Sequence, residues 1–433
     1  MGVHLTGVRL LLLRLHFYAG LLVGPFVLIA ALTGLLYTVA PTLDSAVYAR
    51  ELRVPVGAHP VPLSEQVANA QAAARVAAPE PASGPKPAPD TGSAPAAEGT
   101  PARTSAQSAL PDDAVLAVRP AARPDASTRV VFATAPGQAE RTVFVDPYTG
   151  QVLGTLSCDG DLLPIQAWVG ELHRTLYLGG VGRLYSELAS TWLLVLAVSG
   201  TVLWTARTRR ARTLRRLLVP DNGKRGRRRL QSWHGVVGLW AVIGLLLVSG
   251  TGLAWTRFAG ANVTAIHAAL HWTEPTVHAG SPSDALDGAG ARRSAAGGDA
   301  GVVSKAAGAQ RALDAVRDSG MTGPVEIRPA QHAGDAWVVQ QTQRSWPTRL
   351  DQAAVDPVSG AVVQRIRFAD WPFPVKLARW TADMHAGLLF GVANRVLLAV
   401  LALGVICLVV WGYRMWWLRG RRRSGWAPAP GAV

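Results

Sequence analysis

Four stretches of this chain are nearly bare of charge, and each is long enough to cross a bilayer. They run approximately over Leu15–Val39, Leu188–Trp204, Trp233–Trp255 and Val396–Trp417. A hydrocarbon core about 30 Å thick needs roughly 20 apolar residues per helix. Hydrocarbon offers the backbone no hydrogen-bond partners, so each stretch must satisfy its own N–H and C=O groups as a helix. Only 16% of the 433 residues are charged while 49% are hydrophobic, and the missing charge is missing from these stretches. The expected fold class is a membrane protein with an all-α four-helix transmembrane core.

The net charge of +15 raises the question of nucleic acid, and its placement answers it. Eleven Lys or Arg residues crowd the connection from Arg207 to Arg229. Arg414, Arg419, Arg421, Arg422 and Arg423 follow the last span, and Arg9 and Arg14 precede the first. Four crossings put all three clusters on one side, the positive-inside pattern, with both termini and the short loop in the cytoplasm. Every cluster abuts an apolar span, which argues against a nucleic acid partner and for a lipid bilayer. The first apolar run, about 25 residues, exceeds the 7–15 of a secretory signal, and Pro41 blocks cleavage after Ala40, so it reads as a retained span. Cys158 falls outside the membrane and Cys407 inside the fourth span, so no disulfide is expected.

The chain also repeats itself. LHFYAGLLVGPFVLIAALTGLLY and WHGVVGLWAVIGLLLVSGTGLAW each open with a histidine, His16 or His234, followed four residues later by Gly20 or Gly238. Each closes with Thr-Gly, at Thr33-Gly34 and Thr251-Gly252. ELHRTLYLGGVGRLYSEL and DMHAGLLFGVANRVLLAV place an acid two residues before His173 or His385, then Gly179 or Gly391, then Arg183 or Arg395. Just upstream stand VDPYTGQVLG and VDPVSGAVVQ. The unit is helix, external segment, helix, present in two tandem copies.

Each external segment reads as a small α+β module. In the second, helical periodicity over Ser304–Asp318 precedes strands near Val325–Ile327, Ala336–Gln340, Ala353–Val355 and Ala361–Ile366. In the first, a helix over Pro62–Val76 precedes strands near Val115–Val118, Arg129–Ala133, Thr142–Val145 and Gln151–Leu156. The Ala/Pro/Ser/Gly-rich stretch 77–110 cannot bury enough apolar surface to offset chain entropy and reads as a disordered insertion; Ser281–Gly301 is similar. The expected division is span 1 (1–40), external domain (41–165), interfacial segment and span 2 (166–206), basic loop (207–230), span 3 (231–257), external domain (258–378), interfacial segment and span 4 (379–418) and basic tail (419–433).

A histidine at a membrane span is costly unless it faces the bundle and has a partner. His16 and His234 each begin an outward-running helix, and His173 and His385 each precede an inward-running one. Pseudo-symmetry then sets one pair facing across the bundle near each surface. Two neutral imidazoles in an apolar slot suit axial ligation of a b-type haem, whereas zinc would ask for further Cys, Asp or Glu ligands. Gly20, Gly24 and Gly238 lie on the histidine faces and would leave room for a flat macrocycle, or else serve close helix packing. Arg183 and Arg395 could bind haem propionates or snorkel to the interface. His267 and His271 read as part of an exposed amphipathic segment. His4, His59, His278 and His332 read as surface residues. No dinucleotide fingerprint, Walker loop or HExxH occurs, so electrons would have to come from a partner.

The quoted span sequences, the two VDP turns and FADWPFPVKLARWTADMHAGLLFG resemble the PepSY-associated transmembrane family, over nearly the whole chain. Its members include iron-regulated membrane proteins and ferrisiderophore reductases of the bacterial inner membrane. The resemblance implies extracytoplasmic PepSY-like domains on a four-helix core. It also implies haem-mediated electron transfer, here with two haem b groups held by His16, His234, His173 and His385. The donor would be cytoplasmic or a quinol, and the acceptor Fe(III) in a siderophore, making the chain an oxidoreductase. The first module is interrupted by a long insertion, and the cytoplasmic reductase domain fused to some relatives is missing here. Two alternatives stay open on the residues alone: a haem-free PepSY binding or regulatory protein, and a metal or chelate transporter.

Overall fold

The structure is a computed structural model that describes residues 2–76, 114–134, 138–209, 214–277, 304–330 and 335–421. The low-complexity stretches at 77–110 and Ser281–Gly301, together with His278, His332, Arg422 and Arg423, lie outside the described residues. Eleven α-helices and eight strands make up the described part. The helices are α1 (Gly2–Val47), α2 (Ala49–Leu52), α3 (Leu63–Val76), α4 (Pro164–Thr175), α5 (Gly179–Arg209), α6 (Leu214–Leu218), α7 (Arg227–Ala254), α8 (Phe258–Ala269), α9 (Lys305–Asp318), α10 (Phe373–His385) and α11 (Gly391–Arg421). The strands are β1 (Val115–Arg119), β2 (Thr128–Phe132), β3 (Glu140–Val145), β4 (Val152–Cys158), β5 (Val325–Arg328), β6 (Trp337–Gln341), β7 (Gln352–Val355) and β8 (Val362–Ile366).

Helices α1, α5, α7 and α11 are long and apolar enough to cross a membrane. α1 and α7 each pack against both α5 and α11, so α1 and α7 stand diagonally opposite in a four-helix ring. One core cluster draws on all four: Val23, Val27 and Ala31 from α1, Ala197 from α5, Leu245 from α7 and Val405 from α11. Large side chains such as Leu22, Trp240 and Ile243 point outward and are exposed, as suits a surface solvated by lipid. α1 carries Pro25 within it. Proline lacks the N–H that would bond the carbonyl four residues earlier, here that of Leu21. Tyr413 on α11 replaces it, donating its hydroxyl to the Leu21 carbonyl at 2.6 Å. Gly24 makes room, because a Cβ there would lie 3.0 Å from the Tyr413 ring.

The two external modules are not separate. All eight strands form one sheet in the order β4-β3-β2-β1-β5-β6-β7-β8. β1 and β5 join the halves antiparallel, with Val118 opposite Ile327. α3 and α9 pack on each other and on one sheet face, closing a single core that includes Val67, Phe132, Val316, Ile327 and Val339. Leu63 N–H donates to Gln310 Oε1 across the halves at 2.6 Å. Arg119 of β1 pairs with Glu326 of β5 at 2.6 Å. The reason is general: a strand left at an edge exposes unpaired backbone groups, and pairing the two innermost edges removes both. The repeated VDP sequences are hairpin turns. Asp146 Oδ1 accepts from Tyr148 N–H at 2.8 Å and Asp356 Oδ1 from Val358 N–H at 2.8 Å. Gly150 and Gly360 take positive φ angles of 70° and 73°, where an L side chain would be strained. The Val358 N–H and the Ser359 hydroxyl hold the Asp356 carboxyl below its ordinary pKa.

Two short helices bridge sheet and bundle. α4 begins at Pro164, and the carboxylate of buried Asp44, on the end of α1, accepts from Ile165 N–H at 3.0 Å and Gln166 N–H at 2.9 Å. A carboxylate there satisfies two orphan donors and complements the helix dipole. α10 is held from outside by Arg344, in the loop after β6, which pairs with the fully buried Asp383; Arg379 of α10 itself pairs with the same carboxylate at 3.3 Å.

Candidate haem-binding site

His16 on α1 and His234 on α7 meet across the diagonal of the bundle. Their ring centres are 6.3 Å apart and their planes cross at 89°. A metal–imidazole bond of about 2 Å on each side, plus the distance from ring nitrogen to ring centre, sets the rings of a bis-imidazole metal about 6 Å apart. The observed spacing matches that requirement.

The hydrogen bonds fix which nitrogen of each ring is available. His234 Nδ1 lies 3.1 Å from the Leu408 carbonyl, which can only accept, so Nδ1 carries the proton. His16 Nδ1 lies 3.0 Å from Ser199 Oγ, and that hydroxyl already donates to the Val195 carbonyl at 2.6 Å. Thr33 Oγ1 donates to the Ile29 carbonyl at 2.9 Å and stands 2.9 Å from His173 Nδ1. Thr251 Oγ1 donates to the Leu247 carbonyl at 2.7 Å and stands 2.5 Å from His385 Nδ1. A hydroxyl has one proton, so in each case its oxygen accepts from the imidazole. All four neutral rings therefore carry hydrogen on Nδ1 and present the Nε2 lone pair. That is the arrangement in which an outer partner fixes the tautomer and orientation of a metal-ligating histidine.

The pairs occupy two levels. Thr33 follows His16 by 17 residues, which at 1.5 Å per residue is about 25 Å along α1. His173, in the last turn of α4, leans on α1, and His385, at the end of α10, leans on α7, where Trp255 packs against its ring at 5.1 Å. Gly34 and Gly252 follow the two threonines, and a Cβ at either would meet His173 Cε1 at 3.2 Å or His385 Cε1 at 3.7 Å. The repeated Thr-Gly pair is thus a histidine seat, a role that the sequence reading left unassigned. At this sheet-side level the fit to a metal-bound macrocycle rests on the hydrogen bonding.

At the other level a cavity adds to it. An opening of about 350 Å³ is lined by His16, His234, Gly20, Gly238, Leu196 and Leu408, within the roughly 300–1,000 Å³ of cofactor sites. Cβ atoms at Gly20 and Gly238 would meet only Leu196 and Leu408, each at 3.8 Å, so these glycines border open space. Gly24 also borders the cavity, but its bareness admits Tyr413 rather than a ligand. Arg9, Arg207, Arg227 and Arg419 line the same cavity, and among the described residues no acid does. An apolar slot ending in guanidinium groups fits a flat, largely apolar molecule with carboxylates at one edge.

The arginines singled out from the repeats sit elsewhere. Arg183 is exposed and forms no hydrogen bond or ion pair among the described residues. Arg395 Nη1 donates to Thr42 Oγ1 at 3.4 Å and borders a separate opening of about 220 Å³ with Tyr37, Gln166 and Gly387. His267 and His271 lie on and just after α8. Among the described residues no group of three or more His, Cys, Asp or Glu could hold a metal ion, and Cys158 and Cys407 are both free. The family described as the PepSY-associated TM region matches the chain over residues 13–419. No curated protein matches it.

Proposed function

We propose, from the premise that the chain belongs to the PepSY-associated TM family, that it is a two-haem membrane oxidoreductase. It moves electrons from a cytoplasmic or quinol donor to an extracytoplasmic acceptor, Fe(III) in a chelate of the siderophore kind. The arginine-bearing end of the bundle then faces the cytoplasm, and the sheet faces outward. The observation that carries the reading is the shared anchoring of four histidines through Nδ1, together with the 6.3 Å ring spacing of His16 and His234.

Haem b, when bound, supplies a one-electron Fe(III)/Fe(II) couple. The rest falls to the chain's own residues. His16 and His234 offer Nε2 from opposite sides at one level, and His173 and His385 offer theirs at the other. Ser199, Thr33, Thr251 and the Leu408 carbonyl hold the ring protons at Nδ1 and stop the imidazoles rotating. Arg9, Arg207, Arg227 and Arg419 supply charge-assisted donors for propionates at the cavity mouth. The apolar lining raises the strength of each polar contact it surrounds.

The test is a visible spectrum and a haem-to-protein ratio on protein purified from haem-replete cells. Two haems per chain are expected, with His16→Ala and His173→Ala each removing one and the double variant removing both. Folded, colourless wild-type protein would overturn the reading.

A further inference from the structure

Counterpart segments of the two copies differ at the sheet-side end of the bundle. In the first copy, α1 runs on past Ala40 to Val47, and its last turns pack on α4, which Asp44 caps. At the spacing of 218 residues that separates His16 from His234, the counterpart of Ala40 is Phe258. There α7 has already ended at Ala254, and a separate helix, α8, runs over Phe258–Ala269. α8 packs on α7, yet Gly260 is its one buried residue. Phe258 is 56% exposed, Ile266 54%, and Leu270 just beyond the helix 48%. The composition differs too. Asp44, Arg50, Glu51 and Arg53 of the first copy correspond to Asn262, Ala268, Ala269 and His271, and no Asp, Glu, Lys or Arg occurs from Phe258 to Thr273. The segment packed on protein is the charged one and the open segment is charge-free, the reverse of what water demands of an exposed helix.

The tethers of α8 set its level. The Glu187 carboxylate of α5 accepts from Phe258 N–H at 3.2 Å and from Ala259 N–H at 2.9 Å, which satisfies two orphan donors of the first turn. About one turn inward on α5, Ser190 Oγ lies 3.1 Å from where a Cβ of Gly252 would stand, beside the Thr251 that seats His385. Thr251 follows His234 by 17 residues, about 25 Å along α7, so α8 starts near the edge of a hydrocarbon core about 30 Å thick. Past α8, Glu274 pairs with Arg379 of α10 at 3.6 Å, which keeps the far end beside the bundle. Exposed tryptophans bracket the segment, Trp255 before it and Trp272 after it, and interfaces between membrane and water favour such residues. Arg257, the one charge in the link from α7, stands over the Phe258 ring at 5.5 Å and is long enough to reach headgroups. The Thr264 hydroxyl is satisfied within the helix, donating to the Gly260 carbonyl at 3.0 Å.

We infer that α8 is a lipid-bound helix, seated at the sheet-side boundary of the hydrocarbon core with its open face among the acyl chains. Phe258, Ala265 and Ala269, seven and eleven residues apart, share that face, and Gly260 lies on the opposite one, against α7. The occupant is lipid because α8 follows directly on a span and starts at a depth where lipid surrounds the bundle. Interfacial helices bury an apolar face about 5–10 Å into the boundary and keep a charged face in water; α8 has no charged face and lies on the acyl side. The inference rests on the four spans and not on haem.

Site-directed fluorescence of the full-length protein in phosphatidylcholine nanodiscs tests it. Cys407→Ala removes the exposed native thiol, Cys158 being buried, and Ala265→Cys then carries a polarity-sensitive dye on the open face of α8. Val400→Cys, exposed on α11, gives the lipid standard, and Asp318→Cys, exposed at the end of α9, the water standard. The dye on α8 is expected to emit closer to the Val400 standard. It should lose more intensity to lipid carrying a nitroxide near the headgroup than to lipid carrying one at the chain end, and least to aqueous iodide. Emission like that at Asp318, quenched chiefly by iodide, overturns the inference. Blue-shifted emission that no quencher reaches assigns the face to a second protein, copy or partner, and overturns it too. Leu270→Cys, also exposed, repeats the measurement if Ala265→Cys folds poorly.

Discussion

The joint between the two half-sheets depends on one carboxylate, and removing it has a calculable consequence. The Glu326 side chain is 5% exposed, against 16% for Arg119 and 58% for Arg328. The exposed Arg328 arm is worth about 0–1 kcal/mol. The Arg119 arm is buried, and deleting one partner of a buried pair costs about 3–5 kcal/mol. Arg119 would retain Asp161 at 3.0 Å and the Gly160 carbonyl at 3.1 Å, so Glu326→Ala should fall near the lower end, about 3 kcal/mol. Hydrogen exchange of the Val118 and Ile327 amides, at the β1–β5 pairing, would read this as roughly a hundredfold faster opening. The joint should also weaken in acid. Burial alone would raise the Glu326 pKa, but Arg119 and Arg328 together lower it below its ordinary value. A depressed carboxyl contributes stability above its unfolded pKa, about 4.3, and loses it as pH falls through the folded value. Glu326→Gln should abolish that acid sensitivity, and Arg119→Met with Glu326→Leu should recover most of the stability. Wild-type exchange at both amides in Glu326→Ala would refute the reasoning.

Thr33→Val and Thr251→Val remove the acceptors for His173 and His385 and should each cut retention of the sheet-side haem about 10–100-fold, read as haem lost during dilution. Gly20→Leu fills the cavity beside His16 and should lower haem content to about one per chain, with unchanged helicity by circular dichroism. Tyr413→Phe leaves the Leu21 carbonyl without a donor inside the membrane and should destabilise the bundle by about 1–3 kcal/mol, seen as a lower thermal midpoint. An unchanged midpoint would mean that water or lipid headgroups reach that carbonyl.

The spans, the hairpin turns and the four histidines were legible in the sequence because each leaves a local mark. Apolar length marks a crossing, Asp-Pro-x-Thr/Ser-Gly a tight turn, and duplication an element that both copies need. The single eight-stranded sheet left none. β1 and β5 are short strands, and nothing in Val115–Arg119 or Val325–Arg328 says that each other's edge is the partner. Thr33 and Thr251 were visible as a repeat but mute as to role, because their histidines are 140 and 134 residues away. The Leu408 carbonyl that holds His234 is backbone and cannot be read from any side chain. Arg183 and Arg395 show the converse, since equivalent positions in a duplicated chain have come to different surroundings.

The most direct test of paired imidazoles at the arginine-bearing end is electron paramagnetic resonance of the oxidised protein. The ring planes of His16 and His234 cross at 89°, and perpendicular axial imidazoles give a highly anisotropic low-spin ferric signal. Such a signal should be present in wild type and vanish in His234→Ala, while the sheet-side signal remains. A high-spin spectrum, or a low-spin signal indifferent to His16 and His234, would contradict the assignment.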